Sequence, residues 1–471
     1  MGTIIRGFPS VSKRRIQYAV AVALADADAE LPAAASAVAP VAQVARRRDN
    51  AMMTLEYAAI AHVAFMLTTA GAQSRPRDLA LIGATVYPAP TSAAIQNATV
   101  LVHDGRIVSV RSGDGIPIPA DAQRIDCRGK FVTAGFWNSH VHIIQQGLLE
   151  ARTAPAAELS AQLDSMLNRW GFTTVFDLAS ELDNTLALRR RIDSGSVRGP
   201  RILTVGELLW TAIPVYVRDY LTANHIRMDP VASNTEAVVR VRGLAARGVD
   251  GIKLFTGSLQ DGDRVANMPL EMVRAATSEA HRQGLPVFAH PQNTEGLENA
   301  IHGGVDILAH TAPQSPPWTA QFVDTLKHAH IALIPTLTLF DVEARKERAS
   351  DADREAWIAR MVAELRAYAS AGGEILFGTD VGYIDHYDTS LEYELMARAG
   401  MSFRDILASL TTTPAKRFHD AERGRVAKGM IADLVVLDAD PSLDVRAFSK
   451  VDDVIRAGAL QYPNSRTAAP K

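Results

Sequence analysis

Cysteine is almost missing from these 471 residues, and the single thiol, Cys127, leaves no intrachain disulfide and no thiolate cluster for a metal. Any ion held by the chain must therefore rest on imidazole and oxygen ligands. Nothing near Cys127 marks it as reactive, and it reads as a small side chain in a β-rich stretch. Charge of one sign is lacking too: 49 Lys and Arg stand against 52 Asp and Glu, a formal net charge of −3. That balance offers no attraction to a polyanion or an anionic membrane surface. With no zinc-finger spacing, recognition-helix signature or concentrated basic face, nucleic acid is not an expected partner. No apolar run approaches the roughly 20 residues a membrane-spanning helix needs, so no membrane is expected for the mature form. A G-x-S-x-G turn is also absent, which removes the usual support for a serine triad.

What is present is 47% apolar residues, enough for one large core and a smaller satellite. The first part of the chain reads differently from the rest. Residues 19–45 are mostly Ala and Val without a strand or helix period, and residues 1–77 read as leader or tail. Within them Arg46-Arg47-Arg48, an apolar run from Tyr57 to Leu67, and Ala70-Gly71-Ala72 have the order of a secretory signal peptide. Met52-Met53 would then be the start, with cleavage after Ala72. Glu56 and His62 interrupt that pattern, and a cytoplasmic location is the alternative.

Residues 78–131 carry strand signals: Leu79–Val86, Ala98–His103, a turn at Asp104-Gly105, and Arg106–Val110. Ala432–Leu437 supplies a matching piece near the other end, so residues 78–131 plus 425–471 are expected to form a small β-sandwich domain. Between them, over 132–424, short apolar runs alternate with helix-like stretches. The runs are Phe131–Trp137, Thr173–Asp177, Arg201–Val205, Gly251–Phe255, Pro286–His290, Asp306–His310, Ile331–Pro335 and Glu374–Gly378. Eight such units predict an α/β fold, a (β/α)₈ TIM-type barrel.

Ionisable residues gather at the ends of those runs. His140 and His142 follow the first, Lys253 lies in the fourth, His290 ends the fifth, His310 ends the sixth, and Asp380 follows the eighth. In such a barrel all C-terminal strand ends open on one rim. The spacing of two in His140-Val141-His142 puts both imidazoles on one face of an extended segment. An isolated His near a strand end is ordinarily structural; six suitable residues in strand order point to a metal centre.

These residues carry a resemblance. Gly135-Phe-Trp-Asn-Ser-His-Val-His142, Gly251-Ile-Lys-Leu-Phe255, Phe288-Ala-His290, Leu308-Ala-His310 and Gly378-Thr-Asp380 resemble the amidohydrolase superfamily, in its imidazolonepropionase-like and prolidase-like branch. Thr413–Lys416 and Gly429–Pro441 resemble the family's return to its sheet domain. The resemblance implies two divalent ions, zinc first and cobalt, manganese or iron as alternatives. His140, His142 and Asp380 would hold one ion and His290 and His310 the other. Lys253, carboxylated by CO₂, and a hydroxide would lie between them. Asp380 would then serve as general base and acid in hydrolysis of an amide C–N bond in a small molecule, such as an N-acyl amino acid or a dipeptide-like compound.

A lactonase, esterase or phosphotriesterase would use the same centre. Aromatic deaminases of the superfamily carry His-x-x-Glu at the fifth strand, where this chain reads His290-Pro-Gln-Asn293. A scaffold barrel without turnover would lack some ligands. The resemblance also implies a symmetric homo-oligomer. Asp177 and Thr379 are candidates for orienting ligands; Trp210, Tyr216, Arg218, His225 and Tyr383–Tyr387 are candidates for covering the site. His281, His302, His328 and His330 read as solvated side chains.

Overall fold

The computed structural model describes residues 78–113, 117–224 and 226–463, so the signal-peptide expectation and His225 lie outside the described residues. Both ends of the described chain build one mixed sheet. It runs in the order β17 (Ala459–Tyr462), β16 (Val451–Arg456), β15 (Leu434–Leu437), β5 (Phe131–Ala134), β1 (Leu79–Val86), β2 (Ile95–His103), β3 (Arg106–Ser112), with β4 (Gln123–Asp126) branching off β1. The expected sandwich is thus a single eight-stranded sheet. The branch has a local cause: β1 bulges between Leu81 and Ala84, pairing Leu79–Ile82 with β4 and Thr85–Val86 with β5. Leu79, Leu81, Val86, Val100, Val102, Val132, Leu434, Val436 and Ile455 form its buried core.

The run Phe131–Trp137 divides at Gly135 into β5 and β6 (Phe136–Val141). A Cβ at Gly135 would sit 2.2 Å from Thr173 Oγ1, so only glycine lets the chain cross from one sheet to the next there. Between β6 and residue 334 the strands of two arcs pair in parallel. One arc is β6, β7 (Phe172–Asp177) and β8 (Arg201–Thr204); a second is β9 (Ile252–Phe255), β12 (Val287–His290), β13 (Ile307–Ala309) and β14 (Ala332–Ile334). Between β9 and β12 lies a short antiparallel hairpin of β10 (Gly257–Leu259) and β11 (Val265–Asn267).

The ladder is not a continuous ring of eight strands. The eighth run, at 374–380, is not a strand; isolated bridges join Leu333 to Ile375, Val141 to Val381 and Leu209 to Leu254. Ser139 N donates to Phe377 O at 2.7 Å, and Leu376 N to Leu333 O at 2.9 Å. The segment is therefore tied to β14 on one side, where Leu333 N also donates to Glu374 O at 2.9 Å, and to β6 on the other, where Thr379 N and Asp380 N both donate to His140 O as the backbone turns.

Side chains of alternate parity fill the space inside the two arcs. Trp137, Phe176, Leu203, Phe288, Ile307, Ala309, Ala332, Ile334 and Leu376 form one buried cluster, closed by Phe418, whose ring lies 5.0 Å from that of Phe176. Each such large apolar side chain contributes about 1.5–3 kcal/mol through burial. Val287 and Ala289 face the outer core shared with the helices, whereas Phe288 faces inward. His290, two residues beyond Phe288, therefore faces inward as well. Helices pack outside; Leu270–Arg282 is an example, ended by Gly284 at φ +73°. Among the described residues no helix is long and apolar enough to cross a membrane.

A buried helix carboxyl is only weakly paired. Glu364, on the helix Asp351–Ser370, is 1% exposed and faces Arg360 at 3.9 Å. Burial pushes its carboxyl up to about 8, against the opposing pull of Arg360. Between the usual glutamate value near 4.5 and about 8, the folded state keeps a proton that the unfolded state has released. Stability must therefore fall as pH rises through that window, by at most about 1.4 kcal/mol per pH unit. Glu364→Gln removes this slope, so the Tm advantage of the variant is expected to widen from pH 5 to pH 8. Melting curves with a constant offset across that range would contradict it.

Candidate metal centre

The six predicted residues fall on one rim. His140 lies in β6 and His142 just beyond it, Lys253 is in β9, His290 ends β12, His310 follows β13 and Asp380 ends the eighth run. The turn that presents Asp380 is steep. Asp380 has φ +62°, its amide donates to His140 O at 2.9 Å, and Gly382 at φ +106° follows. A Cβ on Gly382 would come within 1.9 Å of His142 O, so this close approach requires glycine. His310 also has positive φ, +92°, and Thr336 behind it +44°. Non-glycine residues in this region cost of order 1–3 kcal/mol each and persist where the surroundings hold them.

Asp380 is the hub. Its Oδ1 lies 2.8 Å from His142 Nε2 and 3.3 Å from His140 Nε2, and its Oδ2 lies 3.8 Å from His310 Nε2. His140, His310 and Asp380 present ligand atoms all within 4.8 Å of one another, and all three are buried. The His140 and His310 ring centroids are 4.6 Å apart, and those of His290 and His310 5.0 Å. Lys253 is 1% exposed, and among the described residues neither its Nζ nor the buried His140 Nδ1 has a hydrogen-bond partner.

The protonation states follow from this crowding. Burial, then the neighbouring Lys253, pushes His140 well below the ordinary imidazole value; burial, then His290, does the same to His310. His290 is pushed down to about 3 by burial and then Lys253. Burial also works against charge on His142, but the Asp380 carboxylate outweighs it and the net direction is upward. Lys253 is lowered to about 7 by burial, with Asp380 pulling the other way. The neutral imidazoles of His140, His290 and His310, the His142–Asp380 pair and a buried amine form a donor set that fits a divalent ion. The unpartnered Lys253 Nζ and the close approach of three ring nitrogens to one carboxylate are what a bound cation would relieve.

Outer contacts hold the rings. His142 Nδ1 faces Ala179 O at 3.0 Å, and His310 Nδ1 faces Thr336 Oγ1 at 2.6 Å. Asp177 is fully buried and accepts from Ile143 N, Ser180 Oγ and Thr204 Oγ1, fixing the backbone on both sides of the His142 contact. Thr379 Oγ1 accepts from Asn138 Nδ2 at 2.8 Å. Tyr216, on the helix Val215–Ala223, brings its hydroxyl to 3.4 Å from His290 Nε2, and its ring packs edge-on against Tyr383 at 5.8 Å. Trp210 is buried against Phe255, whose ring stacks on His290 at 4.3 Å. Sequence reasoning missed Thr336, Gln292 (Oε1 3.4 Å from His290 Nε2) and the Ala179 carbonyl. Of these, only Thr336 carried a signal, as a hydroxyl just past a strand end. His281 is not simply solvated, since its Nε2 pairs with Asp306 at 2.8 Å.

The chain is similar to known proteins over most of its described length. The model of the amidohydrolase family matches residues 131–460. Among curated proteins, a 5-methylthioadenosine/S-adenosylhomocysteine deaminase of Symbiobacterium thermophilum is 30% identical over 176 residues. These are 37% of this chain and only 34% of the relative's own length. A solved structure provisionally named a prolidase, from Bifidobacterium longum, superposes with TM-score 0.69 at 28% identity, covering 82% of this chain and 95% of its own. A prolidase complexed with N-methylphosphonate-L-proline superposes with TM-score 0.67 at 25% identity, covering 81% and 99%. Such neighbours imply a TIM-type barrel fold.

Proposed function

The chain belongs to the amidohydrolase family, and from that premise we propose a binuclear metal-dependent hydrolase that cleaves an amide C–N bond of a small molecule, either an N-acyl amino acid or a dipeptide-like compound. The observation that carries this reading is Lys253, a buried amine without a hydrogen-bond partner among the described residues, in the same site as the buried His140, His310 and Asp380 cluster. His140, His142 and Asp380 would hold one ion, and His290 and His310 the second. As a neutral amine, Lys253 would add CO₂: its lone pair forms the N–C bond, a C=O pair moves onto oxygen, and the proton leaves to solvent. The carbamate so formed presents two oxygens, enough for both ions. Bound zinc ions would supply an activated water and polarise the scissile carbonyl.

Asp380, with Oδ1 and Oδ2 directed at the cluster, would take the proton of the attacking water and return it to the leaving nitrogen. Tyr216, Tyr383, Trp210 and Phe255 form an aromatic wall over the His290 side, which would exclude bulk water. Deamination is disfavoured, although a deaminase is among the curated relatives, because Asn293 stands where His-x-x-Glu would place the proton-delivering carboxyl. Export through a leader ending at Ala72 and symmetric assembly belong to the same proposal.

Screening zinc-loaded protein against N-acyl amino acids, Xaa-Pro dipeptides, lactones and organophosphates is the direct test. Turnover is expected in the first two classes. Turnover confined to lactones or organophosphates would replace the amidase reading with an esterase, lactonase or phosphotriesterase.

A further inference from the structure

A threonine that begins a helix ordinarily spends its hydroxyl on that helix, accepting from the amide two or three residues on. Thr336 occupies this position for the helix Leu337–Lys346 and makes no such bond. Its Oγ1 is turned instead to His310 Nδ1, at 2.6 Å. The backbone that permits this is unusual, since Thr336 is β-branched and sits at φ +44°.

The missing cap is supplied from elsewhere. Glu392, fully buried on the helix Ser390–Arg398, places Oε1 2.8 Å from Leu337 N and Oε2 2.7 Å from Thr338 N. It also accepts from Thr338 Oγ1 at 2.8 Å. The carboxyl thus spans the first two amides of the helix, whose bonds partly offset the burial that raises it to about 7. It is 55 and 54 residues away in sequence, so no local capping rule would place it there.

We propose that Glu392 is a positioning residue for the metal centre: by capping the helix in place of Thr336, it leaves the Thr336 hydroxyl to fix the tautomer and orientation of His310. With Nδ1–H donating to Thr336 Oγ1, the lone pair of His310 lies on Nε2, the atom facing Asp380. Partners of this kind, one shell outside the ligands, commonly change metal affinity by about 10–100-fold when lost. The inference rests on the reading of the six-residue cluster as a metal centre, and its test separates the two.

The variants are Glu392→Gln, Thr336→Val and the double variant. Glutamine keeps the size but sets an NH₂ against an amide donor; valine keeps the β-branch and deletes the hydroxyl. Zinc affinity of metal-stripped protein is read by competition with a chromophoric chelator, and the His310 tautomer from ¹⁵N-histidine spectra of the same apo-protein. Both single variants are expected to lose about 10–100-fold in affinity. The apo spectra should shift His310 from the pure Nδ1–H form to a mixture, and the double variant should be no worse than the weaker single, because the two residues act in series. Thr336→Ser should restore affinity.

Additive losses would overturn the proposal. So would a Glu392→Gln protein that melts lower yet keeps zinc affinity and tautomer unchanged. If Glu392→Gln does not fold, Thr336→Val decides: unchanged affinity and tautomer refute the relay. Wild-type protein that binds no zinc would refute the metal centre itself, while the apo tautomer shift still reports on the contact between Glu392 and His310.

Discussion

Replacing Lys253 with methionine is expected to abolish turnover while leaving the fold intact. The side chain lies in a site only 1% exposed, and methionine is an unbranched apolar side chain one atom shorter that lacks the amine. A buried amine without a hydrogen bond costs desolvation that its placement over the Phe255 ring offsets only in part, so the metal-free variant should melt no lower than wild type. Its loss removes the group that would join the two ions. The fall in kcat/KM should exceed the roughly 10–100-fold typical of an outer-shell deletion. Lys253→Arg should be equally inactive, because a guanidinium stays charged and cannot add CO₂. Reconstitution supplies a second readout: metal-stripped wild type should recover slowly in CO₂-depleted buffer and promptly with bicarbonate, with no response in the methionine variant. More than a tenth of wild-type activity in Lys253→Met would remove the bridging role.

Much of this centre was legible because its residues obey periodicities that sequence preserves. His140 and His142 are two apart in an extended segment, and His290 and His310 end apolar runs whose alternation is visible in Phe288-Ala289-His290 and Ile307-Leu308-Ala309. What stayed hidden has no period. The eighth run looked like a strand because Ile375, Leu376 and Phe377 are apolar and buried. It nevertheless pairs with its neighbours only through isolated bridges, and its φ of +62° at Asp380 breaks the extended geometry. The sandwich expectation failed on one bulge: β1 serves both β4 and β5, so the strands stay in one branching sheet. Glu392 was illegible for a different reason. A glutamate on an amphipathic helix ordinarily faces water, and only the fold shows that it reaches back to the amides of Leu337 and Thr338.

Asp380→Asn separates holding an ion from moving a proton. Asparagine has the same shape, tolerates positive φ better than most residues, and keeps one carbonyl oxygen among His140, His142 and His310. The strained turn into Gly382 should therefore survive, with a metal-loaded Tm close to wild type. The amide nitrogen cannot accept a proton at neutral pH, so the transfer from attacking water to leaving nitrogen has no carrier. General acid–base catalysis of this kind is worth about 10²–10⁴-fold, and kcat should fall by that factor with KM little changed. The leaving group makes the assignment specific. An amide needs its nitrogen protonated before it departs, whereas an activated ester such as a p-nitrophenyl ester does not. The variant should thus lose far more on the amide than on the ester. Equal losses on both, with full metal content, would show that Asp380 acts only as a ligand.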